Sequence, residues 1–166
     1  MSQAIMVPIT GQGTISDLNI GSTVPALAQP PFDFSDVFVY SHGWWTTAND
    51  AMVDYTRFTV GFATTLLKAA AAFGPPGATA PRFPRSALEV GIHWPSMVSE
   101  DASSILNIAQ PLSFYKRANM ADDVGEHGGY ALVRMILEGR QAAGLPQPRF
   151  HLIGHSFGCK VVHARG

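Results

Sequence analysis

Three short apolar runs, each ending in a polar or glycine-bearing turn and separated by helical patterns, constrain this chain more than any other feature. Val37-Phe38-Val39-Tyr40 stops at Ser41-His42-Gly43, Ala87 to His93 stops at Trp94-Pro95, and Arg149 to Ile153 runs into Gly154-His155-Ser156-Phe157-Gly158. Runs rich in β-branched and aromatic residues fit strands buried on both faces of a parallel sheet. Between the first two, Met52, Tyr55, Phe58, Phe62 and Leu66 recur at three- and four-residue steps, the spacing of one helical face. That spacing predicts a helix capped by Asn49 or Asp50 and ended near Ala72 by Gly74-Pro75-Pro76-Gly77. Residues 95–121 carry apolar side chains without a clean period and read as a long connection. Asp122 or Asp123 is expected to cap another helix, which Gly144 and Pro146 terminate, and Cys159 to His163 forms a last one.

The order strand, helix, strand, connection, helix, strand, helix predicts an α/β fold: a mostly parallel sheet flanked by helices on both faces. Residues 36–166 form that domain. Residues 1–35, rich in Gly, Pro, Ser and Thr with a faint strand signal around Ile5–Ile9, read as an irregular arm or a short edge hairpin. In such sheets the functional groups gather at the carboxyl ends of the strands. His42, Gly43, His93 and Ser156 are therefore expected on one rim.

Composition narrows the partners. With 166 residues, 46% hydrophobic and 14% charged, the chain can bury a core. A net charge of −1 with scattered Lys and Arg gives no electrostatic reason to expect nucleic acid. The N-terminus has no basic segment ahead of an apolar stretch, and no window is long enough to span a bilayer, so a cytoplasmic location is expected. The single cysteine, Cys159, forms no internal disulfide. No His/Cys/Asp grouping has metal-ligand spacing, and Gly11-Gln12-Gly13 lacks the third glycine of a dinucleotide loop, so no metal or cofactor is expected.

Chemistry concentrates at Gly154–Gly158. In Gly-x-Ser-x-Gly between a strand and a helix, the serine occupies a turn so tight that side chains at the flanking positions collide with backbone, and its hydroxyl projects from the sheet. The bland alternative is a structural tight turn. Ser156 is thus the candidate nucleophile, with Gly154, His155 and Gly158 completing the turn. Acyl transfer also needs donors for a tetrahedral oxyanion. The backbone N–H groups of Phe157 and Trp44 are the candidates, the second from the turn containing His42 and Gly43. That turn read by itself is equally an ordinary strand end. Trp45, Met97, Leu112, Phe114 and Tyr115 are candidates for an apolar substrate pocket, although such a cluster is as often plain core.

The segment Val37-Phe38-Val39-Tyr40-Ser41-His42-Gly43-Trp44-Trp45 resembles the strand and His-Gly oxyanion turn of α/β-hydrolases, and Phe150 through Gly158 resembles their nucleophile elbow. Ile92-His93-Trp94-Pro95-Ser96 and Tyr115-x-Arg117-Ala118-x-x-x-x-Asp123-Val124-Gly125 are similar to a bacterial branch of that superfamily. The resemblance implies a serine hydrolase of esterase or lipase type acting on a small acyl or ester substrate through an acyl-serine intermediate. It also implies a triad in chain order Ser, then Asp or Glu, then His. Only ten residues follow Ser156; they include His163 and no acid. The expectation is therefore an α/β-hydrolase-like domain incomplete at its C-terminus, whose elbow strand is an exposed sheet edge prone to self-association. The alternative is an inactive hydrolase-fold scaffold used for binding or assembly.

Overall fold

The computed structural model describes residues 3–16, 34–73, 87–97 and 110–163, with the side chains of 3, 66, 70, 71, 73 and 110–113 outside the described set. Four strands, β1 (Gln3–Pro8), β2 (Asp36–Ser41), β3 (Ala87–His93) and β4 (Arg149–Gly154), form one all-parallel sheet in the order β1-β3-β2-β4. The α/β expectation holds at this level. The faint signal near Ile5 corresponds to β1, which pairs in parallel with β3 rather than forming a hairpin arm. Among the described residues an isolated antiparallel bridge, Ile9 to Ile15, follows it.

Strand alternation sorts the side chains. Val37 and Val39 of β2 join Leu88, Val90 and Ile92 of β3 and Val7 of β1 in a core that also takes in Val124, Leu132, Ile136 and Val161. Each of the larger aliphatic chains stabilises the fold by about 1.5–3 kcal/mol through burial. Phe38 and Tyr40 point the other way, onto helix α1 (Ala48–Phe73), where Phe38 meets Phe62 at 4.4 Å and Tyr40 meets Phe58 at 4.9 Å.

Two helix starts differ from the sequence reading. Helix α1 is capped by Thr47, whose Oγ1 accepts the Asp50 N–H at 3.0 Å while its hydroxyl donates to Asp50 Oδ2 at 2.8 Å. Asp50 is thus the returning partner of a reciprocal cap. Met52, expected on the buried face, is 49% exposed, because Ala51, Tyr55 and Phe58 take the inward positions. The expected connection up to residue 121 is shorter, since helix α2 runs Gln110–Asp123 with Pro111 in its first turn, where no N–H is needed. Asp123 is not a cap: α2 passes through one π-helical turn (Val124–Gly129) directly into α3 (Tyr130–Ala142). A Cβ on Gly125 would lie 2.7 Å from the Val161 carbonyl oxygen, so the bulged turn brings backbone against backbone of helix α4 (Gly158–Val162). Helix α3 stops where expected, at Gly144, whose φ is +66°.

At the amino ends of β2 and β4, Asp36 is 1% exposed and binds the Arg149 guanidinium twice at 2.9 Å, His151 Nε2 at 2.8 Å and the Ser35 hydroxyl. Burial pushes its carboxyl up, but those hydrogen bonds outweigh it and leave the group below the usual carboxylate range. Strand β4 has β2 on one side and no described strand on the other, and Leu152 is 52% exposed there.

Candidate functional site

Because every strand runs the same way, the residues after Ser41, His93 and Gly154 emerge on one rim, as the registers Ser41 to Gly154 and Ser41 to Ile92 require. The His155 N–H extends the ladder, donating to the Ser41 carbonyl at 3.1 Å. The chain then turns: Ser156 has φ +54°, and Gly158 N–H closes back on His155 O at 2.8 Å. A left-handed serine costs roughly 1–2 kcal/mol relative to a right-handed one, so surrounding structure must hold it. Two glycines let that happen. A Cβ on Gly154 would lie 2.5 Å from the Cys159 backbone, and one on Gly158 would lie 2.2 Å from the Ser41 carbonyl oxygen. Ser156 itself is exposed.

The Gly43-Trp44 bend lies against this turn. A Cβ on Gly43 would come within 3.0 Å of Ser156 Cβ and 2.9 Å of His155 Nδ1. Trp45, with φ +64°, completes a bend that is anchored from β3. Ser96 is fully buried, accepts the Thr46 N–H at 3.0 Å and returns its hydroxyl to Thr46 O at 3.0 Å. Neither the Trp44 N–H nor the Phe157 N–H donates to another described residue.

His42 ties these parts together. Its Nδ1 lies 2.8 Å from Gly43 O, which fixes the proton there, and its Nε2 then accepts the Trp94 N–H at 3.2 Å, with His93 Nδ1 3.1 Å away. The ring stacks on Trp94 at 5.5 Å, and Trp94 Nε1 donates to His42 O at 3.2 Å. Burial drives the imidazole pKa down to about 4, the neighbouring His93 adds to that, and the Gly43 carbonyl and Asp54 only partly oppose it. His42 is neutral at pH 7 with both ring nitrogens engaged. Below it, the His42 N–H donates to Tyr55 Oη at 3.1 Å, and the Tyr55 hydroxyl donates to Ile92 O. Burial raises the Tyr55 pKa and keeps that hydroxyl protonated.

An aromatic cluster borders the turn. Phe157 meets Phe114 at 4.7 Å, Phe114 meets Trp44 at 5.4 Å, and Trp45 and Tyr115 sit edge-on at its margins. Trp45, Phe114 and Tyr115 are exposed, whereas Met97 is half-buried after Ser96 and the Leu112 side chain lies outside the described residues. Helix α2 is fastened to this rim by Arg117, which donates to Pro95 O. Trp94, Ser96 and Arg117 lie in the segments that carry the branch resemblance and Tyr55 on the helical face read from spacing, but none was given a role at the site from sequence, because each acts on the turns through tertiary contacts.

The other histidines lie elsewhere in the hydrogen-bond network. His151 belongs to Asp36, toward the far end of β4, and His127 Nδ1 bonds Asp123 O at 3.1 Å. His155 and His163 are exposed. Among the described residues no histidine is hydrogen-bonded to Ser156. Nor is any helix among them long and apolar enough to cross a membrane. No family model, curated protein or solved structure matches the chain.

Proposed function

We propose that the protein is a serine hydrolase of α/β-hydrolase type that cleaves an ester or related acyl substrate through an acyl-Ser156 intermediate. One observation carries the reading: a non-glycine residue held at positive φ and exposed at the carboxyl rim, its turn pressed against the Gly43-Trp44 bend. Strain of this kind concentrates where a side chain must be presented to a ligand. Ser156 Oγ attacks the carbonyl carbon. The Phe157 and Trp44 N–H groups, which donate to no other described residue, donate to the oxyanion, each worth on the order of 3–4 kcal/mol. His42 and Gly43 hold the second donor, and the acyl group lies along the cluster of Trp44, Trp45, Phe114 and Tyr115. The packing of Phe58 and Phe62 on Tyr40 and Phe38, and of Leu132, Ile136 and Val161 in the core with the β2 and β3 valines, supports the same family assignment, as does the adjacency of the turn-bearing strands β2 and β4. No general base is bonded to Ser156 among the described residues, and His42 has no free nitrogen with which to serve as one.

That last point favours a second reading, a binding scaffold on the same fold, in which an unactivated serine keeps its high pKa and does not react. Fluorophosphonate labelling of the native polypeptide, expressed from its whole coding sequence, separates the two. Labelling that disappears in Ser156→Ala supports the hydrolase. A folded protein that stays unlabelled, and turns over no p-nitrophenyl ester, leaves the scaffold.

A further inference from the structure

A peptide unit is planar, so the Trp44 N–H points opposite to the Gly43 carbonyl, and whatever holds one end aims the other. Gly43 by itself is free to turn, and Trp45 has φ +64°, a conformation that a non-glycine residue keeps only under restraint. The restraint is visible at the carbonyl. Gly43 O is 2.8 Å from His42 Nδ1 and accepts the Thr46 hydroxyl at 3.3 Å, which engages both of its lone pairs. Thr46 is held in turn by Ser96, a fully buried residue whose hydroxyl serves Thr46 alone: it accepts the Thr46 N–H and donates to Thr46 O, each at 3.0 Å. The Ser96 N–H donates to Trp94 O at 2.7 Å, so the clamp is rooted just beyond the carboxyl end of β3.

Rotating the Gly43-Trp44 peptide would break the His42 and Thr46 bonds together. Turning Thr46 to follow it would strip the buried Ser96 hydroxyl of both partners, which is costly away from water. We propose that Thr46 and Ser96 are positioning residues that lock this peptide in one orientation and thereby aim the Trp44 N–H as an oxyanion donor. The donor's role rests on the hydrolase reading above; the lock itself does not. Both side chains act through the peptide and not on the substrate. An oxyanion donor meets charge that develops only in the transition state, so a donor that wanders lowers kcat and leaves KM in place.

Paired substitutions in the full chain test it. Thr46→Val keeps the branched shape and removes the hydroxyl, whereas Thr46→Ser keeps the hydroxyl and removes the methyl. Thr46→Val should lower kcat on a p-nitrophenyl ester, and the rate of fluorophosphonate labelling, about tenfold with KM unchanged. Thr46→Ser should stay within about twofold of the unaltered protein. Ser96→Ala should speed amide hydrogen exchange at Thr46 at least about tenfold while the β2 amides keep their protection. Full activity in Thr46→Val, equal losses in Thr46→Val and Thr46→Ser, or unchanged exchange at Thr46 in Ser96→Ala would overturn the lock. If Ser96→Ala fails to fold, the Thr46 pair decides. An unaltered protein that is neither labelled nor active refutes the hydrolase reading alone. The lock is then decided by the Trp44 amide resonance: exchange broadening that appears in Thr46→Val and not in Thr46→Ser supports it, and equally sharp signals in both overturn it.

Discussion

Acidification from pH 7.5 to pH 5 should destabilise this fold by about 2 kcal/mol through His42. The imidazole is 3% exposed, and its pKa falls from the ordinary 6.5 to about 4. Between those values the unfolded chain binds a proton that the folded chain refuses, so stability drops as the pH falls. At pH 5 the unfolded state gains a factor of roughly 30, which is about 2 kcal/mol; the full loss, reached below pH 4, is about 3 kcal/mol. The cause is geometric: Nε2 already accepts the Trp94 N–H, and a second proton would break that bond in a site closed to water. Urea unfolding at pH 7.5, 6.5, 5.5 and 5.0 measures the effect. With a slope of about 2 kcal/mol per molar urea, the midpoint should fall by about 1 M over the series. The His42→Gln variant, whatever its own stability, should lose that part of the pH dependence. A wild-type midpoint that does not move, or a variant that falls as steeply as wild type, would refute the reasoning.

Other outcomes follow from the turns and the sheet edge. Ser156→Gly should be more stable than Ser156→Ala by about 1 kcal/mol, because only glycine relieves the left-handed backbone; equal thermal midpoints would mean that the turn is unstrained. Gly158→Ala should cost about 3 kcal/mol or more, since its Cβ has backbone carbonyls, not movable side chains, in its way; circular dichroism and melting read the loss. We propose that the open edge of β4 pairs with a second copy of the chain. If so, Leu152→Lys should shift the light-scattering mass toward monomer, and a concentration-independent monomer in the unaltered protein would contradict it.

Much of the architecture could be read from local pattern. The apolar runs at 37–40 and 87–93 read as buried parallel strands and are buried, whereas the run at 149–153 is a parallel strand left partly exposed beside β2; their shared direction already implied that His42, His93 and Ser156 end on one rim. The turn at Ser156 was equally readable, since glycine on both sides of a serine reports a steric demand from the backbone itself. Local pattern failed where the cause was distant. Thr47 outcompeted Asn49 and Asp50 as cap through a reciprocal bond, and β1 gained its place by pairing with β3, a segment some eighty residues away. Asp123 looked like a helix start, yet packing of the glycine-bearing turn against α4 carried the helix straight through it.

The chain's order of residues was enough to specify strand identity, strand direction and the sharp bend at Ser156, because each depends on interactions within a few positions. Which groups hold that bend, and which are left without partners, depended on folding in three dimensions. His42 stays neutral far into the acid range only because the fold closes around it, and the Glu89 carboxyl is left buried without a hydrogen-bond partner only through the packing of the folded chain. Desolvation belongs to an enclosed volume and not to any stretch of sequence.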